Sequence, residues 1–177
     1  MDQPSPRLAL PRLTLVLGGA RSGKSRHAER LVMAAPSPWI YVATAQAFDD
    51  EMTARIAEHR SRRAEGWHTV EAPLDLAGVI AAHADSGPVL IDCLTLWLSN
   101  VMLDGRDVET ACDTLVDVLA NATGPIVVVS NEVGLGIVPD NALARRFRDA
   151  QGRLNQEIAA GADRVVLMTA GLPLTLK

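Results

Sequence analysis

The sequence predicts an α/β fold with three layers, in which helices cover both faces of a mostly parallel central sheet. Near-continuous apolar runs of strand length indicate strands that are buried on both faces, and they lie at residues 13–17, 39–43, 89–91, 126–130 and 165–169. A shorter segment, residues 69–71, is a further candidate strand. Alternation of such runs with helical patterns is typical of right-handed βαβ units. The order of the strands stays open.

Helix-length segments separate these runs. Helical patterns are predicted at residues 24–34, 49–64, 74–84, 94–103, 107–121 and 141–160. The last segment repeats Leu143, Phe147, Leu154 and similar residues on one face, as an amphipathic helix does. Asn141 suits the position before the first turn, and Gly161 suits the position after the last one.

Length and composition favour one compact catalytic domain. Residues 13–177 are predicted to form that domain, and residues 1–12, with three prolines, a loosely ordered extension without the features of a signal peptide. A net charge of −4 argues against a nucleic-acid partner. No run reaches the ~18 consecutive apolar residues that span a membrane, so stable membrane insertion is not expected. Cys93, inside an apolar run, is expected to be a buried thiol in a cytoplasmic protein.

The strongest chemical motif lies between the first predicted strand and the first predicted helix. It reads Gly18-Gly19-Ala20-Arg21-Ser22-Gly23-Lys24-Ser25. A glycine-rich turn at this place can point backbone N–H groups and the positive end of a helix dipole at phosphate oxygens. Lys24 would reach the β and γ phosphates, and the Ser25 hydroxyl would bind Mg²⁺. We therefore expect a P-loop for ATP or GTP with magnesium, the alternative being a glycine turn that ends in Lys-Ser by chance.

Asp92 ends the apolar run at residues 89–91. At the carboxyl end of a central parallel strand it would face the P-loop and hold Mg²⁺ through water, although an ordinary acidic strand end is the alternative. The chain lacks an Asn-Lys-x-Asp guanine motif and an LSGGQ-type signature. Their absence disfavours a Ras-like switch and a transport ATPase. A phosphotransferase or nucleotidyltransferase acting on a small molecule remains.

The densest basic cluster of the chain is His59-Arg60-Ser61-Arg62-Arg63. His59 falls on the same predicted helix face as Met52 and Ile56, which is the face turned toward the protein body. Nearby positive charges favour the neutral form of a histidine, which is a nucleophile, and arginines can hold the phosphates that it attacks. The alternative is a solvated helix face, the common meaning of a charge run.

A glycine-containing loop, residues 131–139 (NEVGLGIVP), directly follows a predicted central strand. Loops at the carboxyl ends of parallel strands form the edge at which α/β proteins bind ligands. The polar pair Asn131-Glu132 and two glycines therefore indicate substrate recognition, with a flexible turn into the last helix as the alternative.

Taken together, these segments resemble the bifunctional adenosylcobinamide kinase / adenosylcobinamide-phosphate guanylyltransferase family of cobalamin biosynthesis. The resemblance covers nearly everything after residue 12 and depends on GGARSGKSRHAE (18–29), YVATAQAFDDEMTARIAEHR (41–60), Trp67 with residues 69–71, the Asp92 segment and NEVGLGIVPDNALARRFRDAQGRLNQ (131–156). A P-loop alone is common to many families, whereas its combination with NEVGLGIVP is specific. Residues 73–125 match only loosely, and Arg63-Ala64 stands where members often have Arg-Pro.

The resemblance implies roles for particular residues. In that family a histidine in the helix after the second strand carries GMP covalently, and the motif places this role on His59. The family's guanine nucleotide site corresponds here to Thr44, Ala45, Gln46, Arg60, Ser61, Arg62, Arg63, Glu71 and Asp92. The resemblance also suggests a homotrimer.

The expected function is therefore bifunctional. The enzyme would phosphorylate adenosylcobinamide with ATP or GTP, and would then transfer GMP from GTP through a guanylyl-histidine to give adenosyl-GDP-cobinamide. A single-function small-molecule kinase, in which His59 only binds phosphate, is one alternative. A nucleotide-dependent regulatory protein is another.

Overall fold

The computed structural model describes residues 10–46 and 65–177. The strands and helices within these residues follow one another as β1 (Leu13–Gly18), α1 (Lys24–Met33), β2 (Trp39–Ala43), β3 (Trp67–Glu71), α2 (Leu76–His83), β4 (Val89–Asp92), α3 (Leu94–Leu103), α4 (Val108–Asn121), β5 (Ile126–Asn131), α5 (Ala142–Gly161), β6 (Arg164–Thr169) and β7 (Leu172–Thr175). The helix predicted at residues 49–64 lies outside the described residues.

The strands form one sheet in the order β3-β2-β4-β5-β1-β6-β7. The first six strands pair in parallel, and only β7 pairs antiparallel, with β6. The prediction of an α/β fold with a mostly parallel sheet is therefore confirmed. The candidate strand at residues 69–71 is also confirmed and begins two residues earlier, at Trp67. β7 was not predicted.

Alternate side chains of the central strands enter two separate core clusters, one on each face of the sheet. Leu13 and Leu15 of β1 belong to a cluster that includes residues of α2, α3, α4 and α5. Val16, which points to the opposite face, belongs to a second cluster with Ala28 and Val32 of α1. Burial on both faces is the reason that the central strands read as near-continuous apolar runs.

Local capping interactions set the helix ends. The Asn141 side chain accepts hydrogen bonds from the N–H groups of Leu143 (2.8 Å) and Ala144 (3.2 Å), which confirms the predicted start of α5. Gly161 was predicted to follow this helix and is instead its last residue. No helix of the described residues has the length and apolar character needed to cross a membrane.

The end of the predicted extension is tied to the domain. The Arg12 guanidinium donates to the Leu119 carbonyl at 2.9 Å and to the Gly161 carbonyl at 3.1 Å, near the ends of α4 and α5. Residues 1–9 lie outside the described part of the chain, so the looseness of the extension stays a prediction.

Candidate nucleotide site

The carboxyl ends of three adjacent strands bring together the residues that the sequence singled out. Gly18 ends β1, Asp92 ends β4, and Asn131 ends β5, which lies between them. Gly18 is the register partner of Asn131. The P-loop, the acidic strand end and the glycine-containing loop therefore share one edge of the sheet, as ligand sites in parallel α/β folds do.

Two glycines give the P-loop its path. A side chain at Gly18 would place Cβ only 2.6 Å from the Met168 carbonyl oxygen of β6, so a larger residue cannot fit. Gly23, at the N-terminus of α1, has φ +94°, a conformation that other residues rarely adopt. The first turn of α1 contains no acidic residue. Its positive dipole end therefore stays available to an anion.

Lys24 lies folded over the loop. Its side chain is buried, and Nζ donates a hydrogen bond to the Gly19 carbonyl at 2.6 Å. Burial lowers the pKa of Lys24, while the nearby Cys93 and Asp92 act in the opposite direction. Nζ is thus held at the loop beside a carboxylate, where bound phosphates would supply further partners for the ammonium.

The hairpin between β6 and β7 supports the loop from the other side. The Gly171 N–H group at the hairpin tip donates to the Ser22 carbonyl at 3.1 Å. The Gly171 Cα would lie 3.5 Å from a Cβ at Gly23. Strand β7 was absent from the sequence-based prediction, yet its hairpin fixes part of the phosphate loop.

Asp92 is oriented by the neighbouring strand. The buried Tyr41 hydroxyl of β2 donates to Asp92 Oδ2 at 3.0 Å. The other carboxylate oxygen, Oδ1, accepts no hydrogen bond from the described residues. Asp92 therefore presents one fixed and one available oxygen near Lys24.

The oxygen atoms at this edge suit magnesium. Ser25, half-buried in the first turn of α1, offers a hydroxyl, and Asp92 offers a carboxylate. Both are hard oxygen ligands of the kind that Mg²⁺ prefers. The described residues contain no cluster of three His, Cys, Asp or Glu side chains that could bind a metal by themselves. A Mg²⁺ ion held by these two oxygens would take its remaining ligands from nucleotide phosphates and water.

Thr44 is fully buried, and its polar groups bond to the protein. Its Oγ1 donates to the Cys93 carbonyl at 2.7 Å and accepts from the Cys93 N–H group at 2.8 Å. Its own carbonyl accepts from Asn100 Nδ2 at 2.8 Å. Thr44 therefore links the end of β2 to the start of α3. Ala45 and Gln46, which follow it, are half-buried.

Glu71 is exposed at the end of β3, the edge strand on the far side of β2. It lies at the same edge of the sheet as Asp92, with β2 between their two strands. The predicted nucleophile His59 and its neighbours Arg60, Ser61, Arg62 and Arg63 lie outside the described residues.

A buried polar network, which sequence analysis missed, fixes the end of β5. Asn155 Nδ2 donates to the Asn131 carbonyl at 3.1 Å, and Thr95 Oγ1 accepts from the Asn131 N–H group at 2.8 Å. Ser130 Oγ donates to Asn155 Oδ1 at 2.6 Å, and Gln151 Nε2 donates to Ser130 Oγ at 2.9 Å. The only sequence feature that could have indicated this network is the polar i, i+4 pair of Gln151 and Asn155 beside the apolar face of α5.

The loop after β5 is anchored to the P-loop at its base. The Glu132 N–H group donates to the Gly18 carbonyl at 3.1 Å, and Glu132 Oε1 accepts from the Gly134 N–H group at 2.7 Å. Farther along, Leu135 and Ile137 are 90% and 97% exposed. The base is therefore ordered against the phosphate site, while apolar side chains near its tip face outward.

Fold and site together define a P-loop nucleotide-binding α/β protein of the NTPase class. Solved structures with the same fold include the flagellar accessory protein FlaH from Methanocaldococcus jannaschii, with a TM-score of 0.54 at 13% identity over 95% of this chain and 79% of that one. A type III secretion ATPase matches with a TM-score of 0.58 at 12% identity over 94% of this chain and 57% of its own. At such identities these matches support the fold alone.

The chain belongs to the cobinamide kinase / cobinamide phosphate guanyltransferase family, whose model matches residues 14–176. It is 49% identical over 166 residues to the bifunctional adenosylcobalamin biosynthesis protein CobP of Pseudomonas aeruginosa, covering 92% of this chain and 96% of that protein. It is 42% identical over 183 residues to the bifunctional adenosylcobalamin biosynthesis protein CobU of Escherichia coli, covering 93% of this chain and 99% of that protein. The predicted family and its two activities, cobinamide kinase and cobinamide-phosphate guanylyltransferase, are confirmed.

Proposed function

We propose that a single phosphate site serves both reactions, and that His59 is the covalent nucleophile of the second. The observation that carries the proposal is the meeting of the P-loop, Lys24 and Asp92 at one edge of the sheet. Both reactions begin with a bound nucleoside triphosphate, and this edge offers backbone donors, a helix N-terminus and a lysine to such a ligand.

In the kinase reaction, the γ-phosphate of ATP or GTP passes to the aminopropanol hydroxyl of adenosylcobinamide. Lys24 and the N–H groups of residues 18–25 hold the phosphates, so that catalysis consists mainly of positioning and charge neutralisation. Ser25 and Asp92 would hold Mg²⁺, which when bound neutralises phosphate charge. Tyr41 keeps the Asp92 carboxylate oriented for this role.

In the guanylyltransferase reaction, the His59 imidazole attacks the α-phosphate of GTP, and pyrophosphate leaves as the bond between the α-phosphorus and the bridging oxygen breaks. A phosphate oxygen of adenosylcobinamide phosphate then attacks the same phosphorus and displaces His59, which gives adenosyl-GDP-cobinamide. The covalent step divides one displacement between anions into two easier ones. Support comes from the match of the sequence around His59 to the family motif and from its arginine neighbours.

The remaining guanine nucleotide contacts are assigned to Ala45, Gln46, Glu71 and the basic residues 60–63. Thr44 is assigned to the same site, where its hydrogen bonds to Cys93 give it a structural role. Its hydroxyl bonds to the Cys93 backbone just before α3, and its carbonyl accepts from Asn100 within that helix.

We further propose that the enzyme is a cytoplasmic homotrimer whose ligands are small molecules and not nucleic acid. The free cysteines Cys93 and Cys112 are both buried, as in proteins of a reducing compartment. The net charge of −4 disfavours binding to nucleic acid. Exposed leucines of β7 and the chain after it, Leu172, Leu174 and Leu176, offer an apolar surface to another subunit. Sedimentation equilibrium at several protein concentrations would test the trimer.

GTP labelled at the α or the γ phosphate tests the covalent mechanism. After incubation with magnesium and denaturing electrophoresis, the protein should keep the α label and should not keep the γ label. The kinase half is tested by transfer of the γ label to cobinamide. A protein that transfers the γ label but never retains the α label would contradict the guanylyl-histidine.

A further inference from the structure

Three carboxylates of the described residues end a strand, or directly follow one, at the edge that holds the P-loop. They are Glu71, Asp92 and Glu132. Glu71 ends β3, which two strands separate from β5. Asp92 is already engaged by Tyr41 and assigned to magnesium. We propose that Glu132 is the general base of the kinase reaction and takes the proton from the acceptor hydroxyl.

The backbone places Glu132 next to the part of the P-loop that receives the γ-phosphate. Its N–H group donates to the carbonyl of Gly18, the first P-loop residue, at 3.1 Å. Lys24 Nζ donates a hydrogen bond to the carbonyl of the next residue, Gly19, at 2.6 Å. In a P-loop this ammonium group contacts the β and γ phosphates. An acceptor hydroxyl that approaches the γ-phosphorus at this end of the loop would lie on the side where Glu132 follows β5.

The side chain is held with one oxygen available. Glu132 Oε1 accepts the Gly134 N–H group at 2.7 Å, and Arg148 Nη2 holds the Gly134 carbonyl at 2.5 Å. Oε2 has no hydrogen-bond or ion-pair partner among the described residues. The half-buried carboxylate is thus fixed by one oxygen and can accept a hydroxyl proton at the other.

The two reactions differ in their need for a base. In phosphoryl transfer, the hydroxyl oxygen bonds to the γ-phosphorus, the bond from that phosphorus to the bridging oxygen breaks, and a nucleoside diphosphate leaves. The hydroxyl proton passes to Glu132 Oε2. In guanylyl transfer the acceptor is a phosphate oxygen that is already ionised, so it has no proton to lose. Glu132 therefore serves one reaction and not the other.

Charge supports this placement. A carboxylate beside a triphosphate is repelled unless cations lie between them. Lys24 Nζ donates to the carbonyl of Gly19, the residue after Gly18, and the N-terminus of α1, which has no acidic residue in its first turn, follows the same loop. These positive groups let Glu132 stay close to the γ-phosphate while the phosphate charge is compensated.

Replacement of Glu132 by Gln separates the base from the structural bond, because the amide oxygen can still accept the Gly134 N–H group. The kinase rate constant of Glu132→Gln should fall by about 10²–10⁴-fold. Its ATP affinity should match that of the native enzyme. Guanylyl transfer, measured with supplied adenosylcobinamide phosphate, should stay within about twofold of the native rate, since a base contributes only where a proton is removed. Glu157→Gln, an exposed change on α5, is the matched control.

A kinase rate within a few-fold of the native value in Glu132→Gln would overturn the proposal. Equal loss of both activities in the folded variant would also overturn it, since that result indicates a role in loop geometry. Glu132→Ala, which loses the Gly134 bond as well, should show the same kinase loss and carries the test if the Gln variant fails to fold. The inference depends on the proposed triphosphate site, and retained ATP binding by the variant distinguishes its failure from a failure of that site.

Discussion

The Tyr41 hydroxyl donates to Asp92 Oδ2 at 3.0 Å, which ties the acidic end of β4 to the neighbouring strand β2. The same ring packs edge-on against Trp67, with centroids 5.8 Å apart. Tyr41→Phe keeps the ring and removes the hydroxyl that donates to Asp92. The magnesium concentration for half-maximal kinase activity should then rise by about tenfold, as expected when a partner that orients a metal ligand is lost.

Asp92→Asn should shift the magnesium titration farther than Tyr41→Phe does, because it removes the charge that balances the ion. The titrations should be run at saturating nucleotide, so that weaker nucleotide binding does not imitate weaker metal binding. Unchanged titrations in both variants would make Asp92 a structural strand end.

Lys24→Ala tests the phosphate assignment. Loss of a charge-assisted contact should weaken nucleotide binding by about 1.5–3 kcal/mol, which is roughly 10- to 150-fold, with both activities falling. Equilibrium binding of a fluorescent ATP analogue measures the change directly. The control is Lys177→Ala, because that lysine donates hydrogen bonds to the carbonyls of Ala159 and Ala160 at the end of α5 and not to the phosphate loop. Nucleotide binding and rates within a few-fold of native would rule out the P-loop assignment.

His59→Ala and His59→Asn should separate the two chemistries. Guanylyl transfer should fall by several orders of magnitude with the loss of a covalent nucleophile. Phosphorylation of cobinamide should persist at a measurable rate, because it uses no protein nucleophile. The native protein, once labelled from α-labelled GTP, should lose that label in acid and keep it in alkali, as a phosphoramidate does. Intact guanylyl transfer would contradict the covalent mechanism, and equal loss of both activities would make His59 a shared binding or folding residue.

The buried His27 of α1 makes the stability of the fold decrease in acid. Burial lowers the pKa of His27 below 6.5, and Arg30 and Arg164 lower it further. Its buried Nε2 has no partner among the described residues. The folded state therefore favours neutral imidazole. As the pH falls below 6.5, His27 takes up a proton in the unfolded chain before it does so in the folded protein. The contribution of His27 to the free energy of unfolding therefore decreases from pH 6.5 down to its folded-state pKa, and does not change above pH 6.5.

Chemical denaturation at a series of pH values measures this dependence. His27→Gln should lose less stability than the native protein as the pH falls below 6.5, with His83→Gln at the end of α2 as the control. Equal slopes for the native protein and His27→Gln would remove His27 from the account of acid sensitivity.

Features that depend on local sequence were predictable. Strands with both faces buried show as apolar runs, the P-loop follows from residue type and spacing, and Asn141 acts as the expected cap. Strand order was not predictable, because each crossover of the chain can return to either side of the preceding strand. Strand β7 was not predicted, because Leu172–Thr175 is short, exposed and contains a proline.

Within the site, positions were easier to predict than bonds. The family resemblance places Thr44 in the nucleotide site, which stays a prediction. Its hydroxyl bonds to the Cys93 backbone, a contact between residues far apart in sequence that no local pattern indicates. The network of Gln151, Asn155 and Ser130 was missed for the same physical reason. A polar residue can be recognised as buried only once the element that faces it is known.

The sheet order has a consequence for synthesis of the protein. β1 is the first of the described strands to be synthesised, yet its two hydrogen-bonding partners are β5 and β6, at residues 126–131 and 164–169. Until that late part of the chain leaves the ribosome, β1 carries a row of unpaired backbone groups on both edges and an apolar surface on both faces. Such pairing between distant segments forms slowly and leaves nascent chains prone to aggregation. The phosphate loop that follows β1 can therefore take its final shape only after β6 and Gly171 have been translated.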